Sequence, residues 1–356
     1  MKGTVFSELL ALALSVRVAS AGRGSAFGLR DLKSLVTFGD SYTDESRLGY
    51  FIENNGEAPP VGWESPASDS TASGGLSWAR IVSNSAGAEL YNYAISGGVC
   101  SNKVSPRHFD AINAPFPDVE GYEIPAFIAD SHHKVGKKPF LNLPRHETVY
   151  AMWIGTNDVG NSAFLTDEQI KGKTLLDYVD TIYSSFDKLY KNGARYFVLM
   201  NLAPLHLLPQ YAGPELDGPD ATPFWPNKAE AGNATAFHER IKENVVTLNE
   251  LFKYKTPVEV TFKRRYKGAN FALFDTSALI TDIYNNPNRY LKGTPNVRGW
   301  INNCDLTGGN CEKADCPESY LWFDELHPSV RTSEIIAENF LAVLNGKSKY
   351  ATYYSS

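Results

Sequence analysis

The sequence predicts a three-layer αβα sandwich with a central parallel sheet of about five strands. Three observations lead there. Short apolar runs with β-branched members recur along the chain. Stretches with apolar residues at helical spacing separate them. Several runs end abruptly in polar turns holding Gly, Ser or Asn, the place where open α/β sheets carry their chemistry. The 356 residues suffice for one large domain with a sizeable core. No repeat or linker divides them, so 22–356 reads as a single domain with long loop insertions.

The first strand is Leu35-Val36-Thr37-Phe38, broken by Gly39 and followed by the polar turn Asp40-Ser41. Gly-Asp-Ser is also an ordinary turn tripeptide with a helix cap, so it proves nothing alone. A Gly/Pro-rich loop follows at 54–75. Ser77 is placed to cap a helix over 78–85 that Gly87 ends. A second strand over 90–95 runs into Ser96-Gly97-Gly98. After an irregular stretch, a helix is expected near 124–133. The third strand, 148–154, is apolar almost throughout, as in a sheet covered on both faces. It leads into Gly155-Thr156-Asn157-Asp158. The clearest helix is 174–190, with Val179, Ile182, Phe186 and Leu189 on one face. Then come a strand over 196–202, a Pro-rich insertion at 204–226, a helix over 234–252, a strand over 271–274 and a short helix capped by Thr276. An aperiodic segment, 285–318, precedes Asp324-Glu325-Leu326-His327-Pro328 and a final helix over 329–344.

Composition narrows the function. With 34 Lys and Arg against 40 Asp and Glu, the net charge is −6. Lys263-Arg264-Arg265 is the one tight basic run and reads as a solvated helix or strand end, so no nucleic-acid partner is expected. Residues 1–21 resemble a signal peptide: Lys2, an apolar run over 9–16 and the small-residue site Ala19-Ser20-Ala21. That run is too short to span a bilayer, and no membrane association is expected. A secreted, extracellular monomer is the reading. Asn233-Ala234-Thr235 is a glycosylation sequon usable on export. The four cysteines contain no C-x-x-C pair, which favours two disulfides over a zinc site. Cys304–Cys311 can close through Gly308-Gly309, leaving Cys100–Cys316 to tie the late loop to the sheet edge. The histidines His108, His206 and His132-His133 read as loop or surface residues; no metal and no cofactor is called for.

The polar turns after strands one, two and three must share one edge of a parallel sheet. The loop bearing Asp324 and His327 can return to that edge. A serine hydroxyl needs a base to become a nucleophile, and His327 can serve. Asp324 can hold the imidazole in the right tautomer. An oxyanion needs preorganised donors: the N–H groups of Ser41 and Gly97 and the amide of Asn157 would supply them. Gly98, adjacent to Gly97, is an alternative donor.

Gly39-Asp40-Ser41, the Gly97 block, Gly155-Thr156-Asn157-Asp158 and Asp324-x-x-His327 together resemble the four blocks of the SGNH hydrolases, also called GDSL esterases and lipases. The order and spacing are the family's, over nearly the whole chain after residue 21. The extended Phe-Gly-Asp-Ser-Tyr-Thr-Asp-Glu form is similar to the fungal acetylesterases of carbohydrate esterase family 16. The resemblance implies a flavodoxin-like fold and a catalytic set of Ser41, Asp324 and His327 with oxyanion donors on Ser41, Gly97 and Asn157. It departs at Tyr42, where many members carry leucine. It implies hydrolysis of acetyl esters of carbohydrates, such as acetylated hemicellulose oligosaccharides, through an acyl-enzyme. A GDSL lipase or phospholipase for longer chains is the alternative, and a dead sugar-binding scaffold a third reading. The insertions 54–75, 204–226 and 285–318, rich in Gly, Pro, Asn and aromatics, are expected to wall a short acyl pocket. Trp300 and Trp322 could stack on a sugar or pack in the core; Trp153 reads as core.

Overall fold

The computed structural model describes residues 26–356. The proposed signal segment, 1–21, lies outside them. The five expected strands are present: β1 (Ser34–Gly39), β2 (Glu89–Asn92), β3 (Thr148–Trp153), β4 (Tyr196–Met200) and β5 (Asn270–Phe274). A sixth, β6 (Ala351–Ser355), joins them in the order β6-β5-β4-β3-β1-β2. The first five pair in parallel, and β6 runs antiparallel to β5. Strands β1, β3 and β4 are buried at every position. That is why they read as unbroken apolar runs and not as alternating ones. The edge strand β6 is only partly covered, and its polar Ala-Thr-Tyr-Tyr-Ser gave no such signal.

Helices cover both faces. On one lie Trp78–Ala86, Thr276–Asn285 and Val330–Leu344; on the other, Ile124–His132, Leu175–Lys191 and Ala234–Pro257. Their ends follow local chemistry. Ser77 accepts from the Arg80 N–H, and Gly87 closes the same helix in the left-handed conformation. The Asp177 carboxylate accepts from the Thr174 N–H at 2.9 Å. One expected cap is corrected: Asp275, not Thr276, caps the helix that follows β5, accepting from Ala278 N–H. The Thr276 hydroxyl instead donates to the Asn201 carbonyl.

Trp153 and Trp322 are buried, and each indole N–H donates to a backbone carbonyl, of Asn201 and Val297 respectively. Trp322 therefore packs rather than presenting a face to a sugar. The basic run is a solvated helix end: Lys263 pairs with Glu259, and Arg265 with Asp187 and Glu259. Among the described residues, no helix is long and apolar enough to cross a membrane.

Cys304 and Cys311 form a disulfide. The expected Cys100–Cys316 bond is not formed and is corrected. Cys100 is fully buried behind the Gly97 turn, its N–H donating to the Asp158 carboxylate, while Cys316 sits on an exposed turn. Sharing a sheet edge does not bring a core thiol and a surface thiol within the roughly 4–7 Å Cα separation a disulfide needs.

Candidate active site

The site is built from the ends of the central strands. β1 ends at Gly39, where a Cβ would stand 2.1 Å from the Trp153 carbonyl of the neighbouring strand. Only glycine lets the two backbones approach this closely as the chain turns away. The Asp40 carboxylate accepts from Tyr42 N–H at 3.1 Å, and the Asp40 carbonyl from Thr43 and Asp44 N–H. This tight turn leaves Ser41 at the mouth of a pocket.

The chain at 322–328 folds back to meet it. The Asp324 carboxylate accepts from the Leu326 and His327 N–H groups, so the Asp-x-x-His span closes around its own side chain. The same carboxylate faces His327 Nδ1 at 2.8 and 2.9 Å. Nε2, across the ring, is 2.9 Å from Ser41 Oγ. The Tyr42 hydroxyl donates to the Leu326 carbonyl at 2.9 Å and clamps the histidine turn to the serine turn. That clamp is what the tyrosine at the unusual position supplies.

The side expected to receive an oxyanion is equally ordered. Gly97 has φ +81°, and a Cβ there would strike the Phe116 ring. Gly98 N–H donates to the Ile95 carbonyl at 2.9 Å, whereas the N–H groups of Ser41 and Gly97 have no partner among the described residues. Of the two glycines, Gly97 is the one with a donor to spare. Asn157 lies in the first turn of the short helix Thr156–Val159 after β3 and lines the pocket with Ser41, Gly97 and His327. Asn233 and the disulfide lie elsewhere; Asn233 caps the helix Ala234–Pro257 through its Oδ1.

Buried acids hold these turns from behind. Glu123 accepts from Gly39 N–H at 2.9 Å. Asp44 accepts from Ser96 N–H and from Ser46 and Arg47 N–H, joining the serine turn to the Gly97 turn. Asp158 accepts from Cys100 N–H and Ser105 hydroxyl, holding the third turn to the Gly97 turn. Burial pushes the carboxyls of Asp40 and Asp158 up to about 6, Glu325 beside the dyad up to about 7, and Glu123 far above its ordinary range.

The pocket is a cavity of about 280 Å³. Leu48, Phe109, Phe116, Phe224 and Leu326 form its apolar lining, with Asn161 and Gln210 as polar edges. Insertion 54–75 contributes Ala72, and 204–226 contributes Gln210, Tyr211 and Phe224. Insertion 285–318 contributes nothing, contrary to expectation. Its place is taken by a two-stranded hairpin, His108–Phe109 with Ala114–Pro115, which presents Phe109 and Phe116 stacked at 4.4 Å. Sequence reasoning missed this hairpin and Arg107, because strands of two residues carry no periodicity; it missed Glu123 and Asp44 because their bonds to Gly39 and Ser96 join segments distant in sequence.

A nucleophile, a base within hydrogen-bond reach, an orienting carboxylate and free donors beside the hydroxyl are the parts of acyl transfer to serine. The GDSL-like lipase/acylhydrolase family model matches residues 35–340. The chain belongs to that family. An acetylesterase of Hypocrea jecorina is 40% identical over 325 residues, covering 91% of this chain and 92% of its own. An acetylesterase of Thermothelomyces thermophilus is 25% identical, covering 94% and 95%. A GDSL esterase/lipase of Arabidopsis thaliana is 23% identical, covering 93% and 89%. The protein is a carboxylic ester hydrolase of GDSL type.

Proposed function

We propose that this chain is a secreted serine acetylesterase that removes acetyl groups from carbohydrate, such as acetylated hemicellulose oligosaccharides. The observation that carries the reading is the continuous relay from Asp324 through His327 to Ser41 on the wall of a small aromatic pocket. In this reading Ser41 Oγ attacks the ester carbonyl as His327 takes its proton. The tetrahedral oxygen is received by Ser41 N–H, Gly97 N–H and Asn157 Nδ2. His327 then protonates the departing sugar oxygen, and a water, activated by the same imidazole, releases acetate. The names of the two fungal relatives support acetyl as the acyl group. The polar Asn161–Gln210 edge beside Phe224 suits a sugar leaving group.

Secretion rests on residues 1–21, on the Cys304–Cys311 bond and on the sequon. A glycan on Asn233 would attach through Nδ2 and leave the Oδ1 cap intact. The apolar lining favours a second reading, a lipase for longer chains, because each buried methylene gains about 0.8 kcal/mol. The test is kcat/KM for acetyl, butyryl and octanoyl esters, with acetate release from acetylated xylo-oligosaccharide. A steep fall from acetyl onwards with acetate released is expected. Rising efficiency with chain length and no release would leave the lipase, and no hydrolysis of any ester the binding scaffold.

A further inference from the structure

We infer that Arg107 is a positioning residue of the oxyanion hole: its guanidinium fixes which way the Asn157 amide faces and braces the Gly97 backbone. The inference rests on the serine-esterase reading for its catalytic consequence, and on geometry for the contact itself. Arg107 stands at the root of the 108–115 hairpin, where its carbonyl accepts from Phe116 N–H. Nη1 donates to Asn157 Oδ1 at 2.6 Å and to the Gly97 carbonyl at 3.0 Å. The guanidinium lies 5.3 Å from the centre of the Phe116 ring, the ring that also packs on Gly97. No carboxylate lies within ion-pair distance of it among the described residues.

A primary amide has two nearly isosteric ends, and its neighbours decide which faces where. Arginine only donates, so the end of Asn157 facing Nη1 must be the oxygen. The nitrogen then faces the other way and gives one hydrogen to the Gly98 carbonyl at 2.8 Å. Its second hydrogen is left for the pocket. With the amide turned over, a carbonyl oxygen would meet the developing oxyanion, repelling what it should stabilise. The amide so held acts on charge that appears only in the transition state. The effect of Arg107 should therefore fall on kcat more than on KM.

The test compares wild type, Arg107→Met, Asn157→Ala and the double variant on p-nitrophenyl acetate, with melting temperatures as the check on folding. Arg107→Met keeps the stem against Phe116, and removing a half-buried cation without an ion partner need not unfold the chain; Arg107→Gln replaces it if it does not fold. We expect kcat to fall about 10- to 100-fold with KM within about threefold, against a loss of about 10² to 10³ for an oxyanion donor itself. In the Asn157→Ala background the further loss should be under about threefold, because the residue acts through the amide. Losses that multiply, an effect confined to KM, or an unchanged kcat would overturn the inference while leaving the esterase intact. If wild type hydrolyses no ester, the functional reading fails instead. A neutron crystal structure of the Arg107 variant, which distinguishes amide oxygen from nitrogen, then decides this one: a turned or split Asn157 amide supports it, and an unchanged amide bonded to Gly98 overturns it.

Discussion

Two regions flank the same histidine and are built in opposite ways. The sheet edge carrying Ser41, Gly97 and Asn157 is held by buried side chains that bond backbone groups: Glu123 to Gly39, Asp44 to Ser96, Asp158 to Cys100. The Cys-rich segment just before Asp324 is largely exposed and organised around itself. Asp305 accepts from Thr307, Gly309 and Asn310, and a disulfide spans seven positions. That segment is covalently next to the dyad yet lines none of the pocket. The hairpin that does line it lies over two hundred residues from the dyad. Proximity in sequence to the proposed dyad is thus a poor guide to what lines the pocket, because a turn closed on its own side chains can be presented without help from its neighbour.

The comparison breaks first at the edge. Ser41→Ala should fold normally and lose on the order of 10³ to 10⁶ in kcat. Near-normal turnover by a folded variant, measured on p-nitrophenyl acetate, would remove Ser41 from the chemistry.

The hairpin gives the next largest effect. Phe116→Ala opens the pocket wall, and room for one or two more methylenes at about 0.8 kcal/mol each is worth about tenfold. The ratio of octanoyl to acetyl kcat/KM should rise about tenfold. An unchanged ratio would mean that the acyl chain lies elsewhere.

Stability against pH separates the two regions by sign. Burial raises Asp40 and Asp158 to about 6 and Glu325 to about 7, above their ordinary values of 3.8 and 4.5. Between about pH 4 and 7 the folded chain holds protons that the unfolded chain releases. The contribution of Asp40 and Asp158 at the edge, and of Glu325 beside His327, is therefore fully present below about pH 4 and is lost as pH rises through about 6 to 7. Asp305 in the loop is lowered to about 2 by hydrogen bonds, first from Thr307, and being exposed it matters little and only in strong acid. The melting temperature should rise by a few degrees from pH 8 to 5, and Asp158→Asn should flatten part of that slope. A melting temperature that falls steadily over the same range would contradict the buried-acid account.

The smallest effect belongs to the disulfide. Replacing Cys304 and Cys311 together by serine removes a short cross-link worth about 2.5 kcal/mol. kcat on acetyl ester should stay within about twofold. A tenfold loss would show that the Cys-rich segment positions His327 after all.

What the sequence by itself determined is the set of features that depend on neighbours in the chain. The five parallel strands were legible because strands covered on both faces need continuous apolar runs. The residues proposed for the site, Ser41, Gly97, Asn157, Asp324 and His327, could be singled out because each sits on a short turn at a strand end or on one that closes locally, with the residue types acyl transfer requires. Tertiary structure alone decided the rest. Whether Gly97 or Gly98 keeps a free N–H depends on the Ile95 carbonyl taking one of them. Whether Cys100 finds a partner depends on which side of the edge its thiol is buried. Arg107, Phe109 and Phe116 reach the site from a hairpin too short to leave a pattern, and β6 pairs with residues some eighty positions earlier. Hydrogen bonds and packing between segments distant in sequence depend on where the folded chain brings them, and local periodicity carries no record of that.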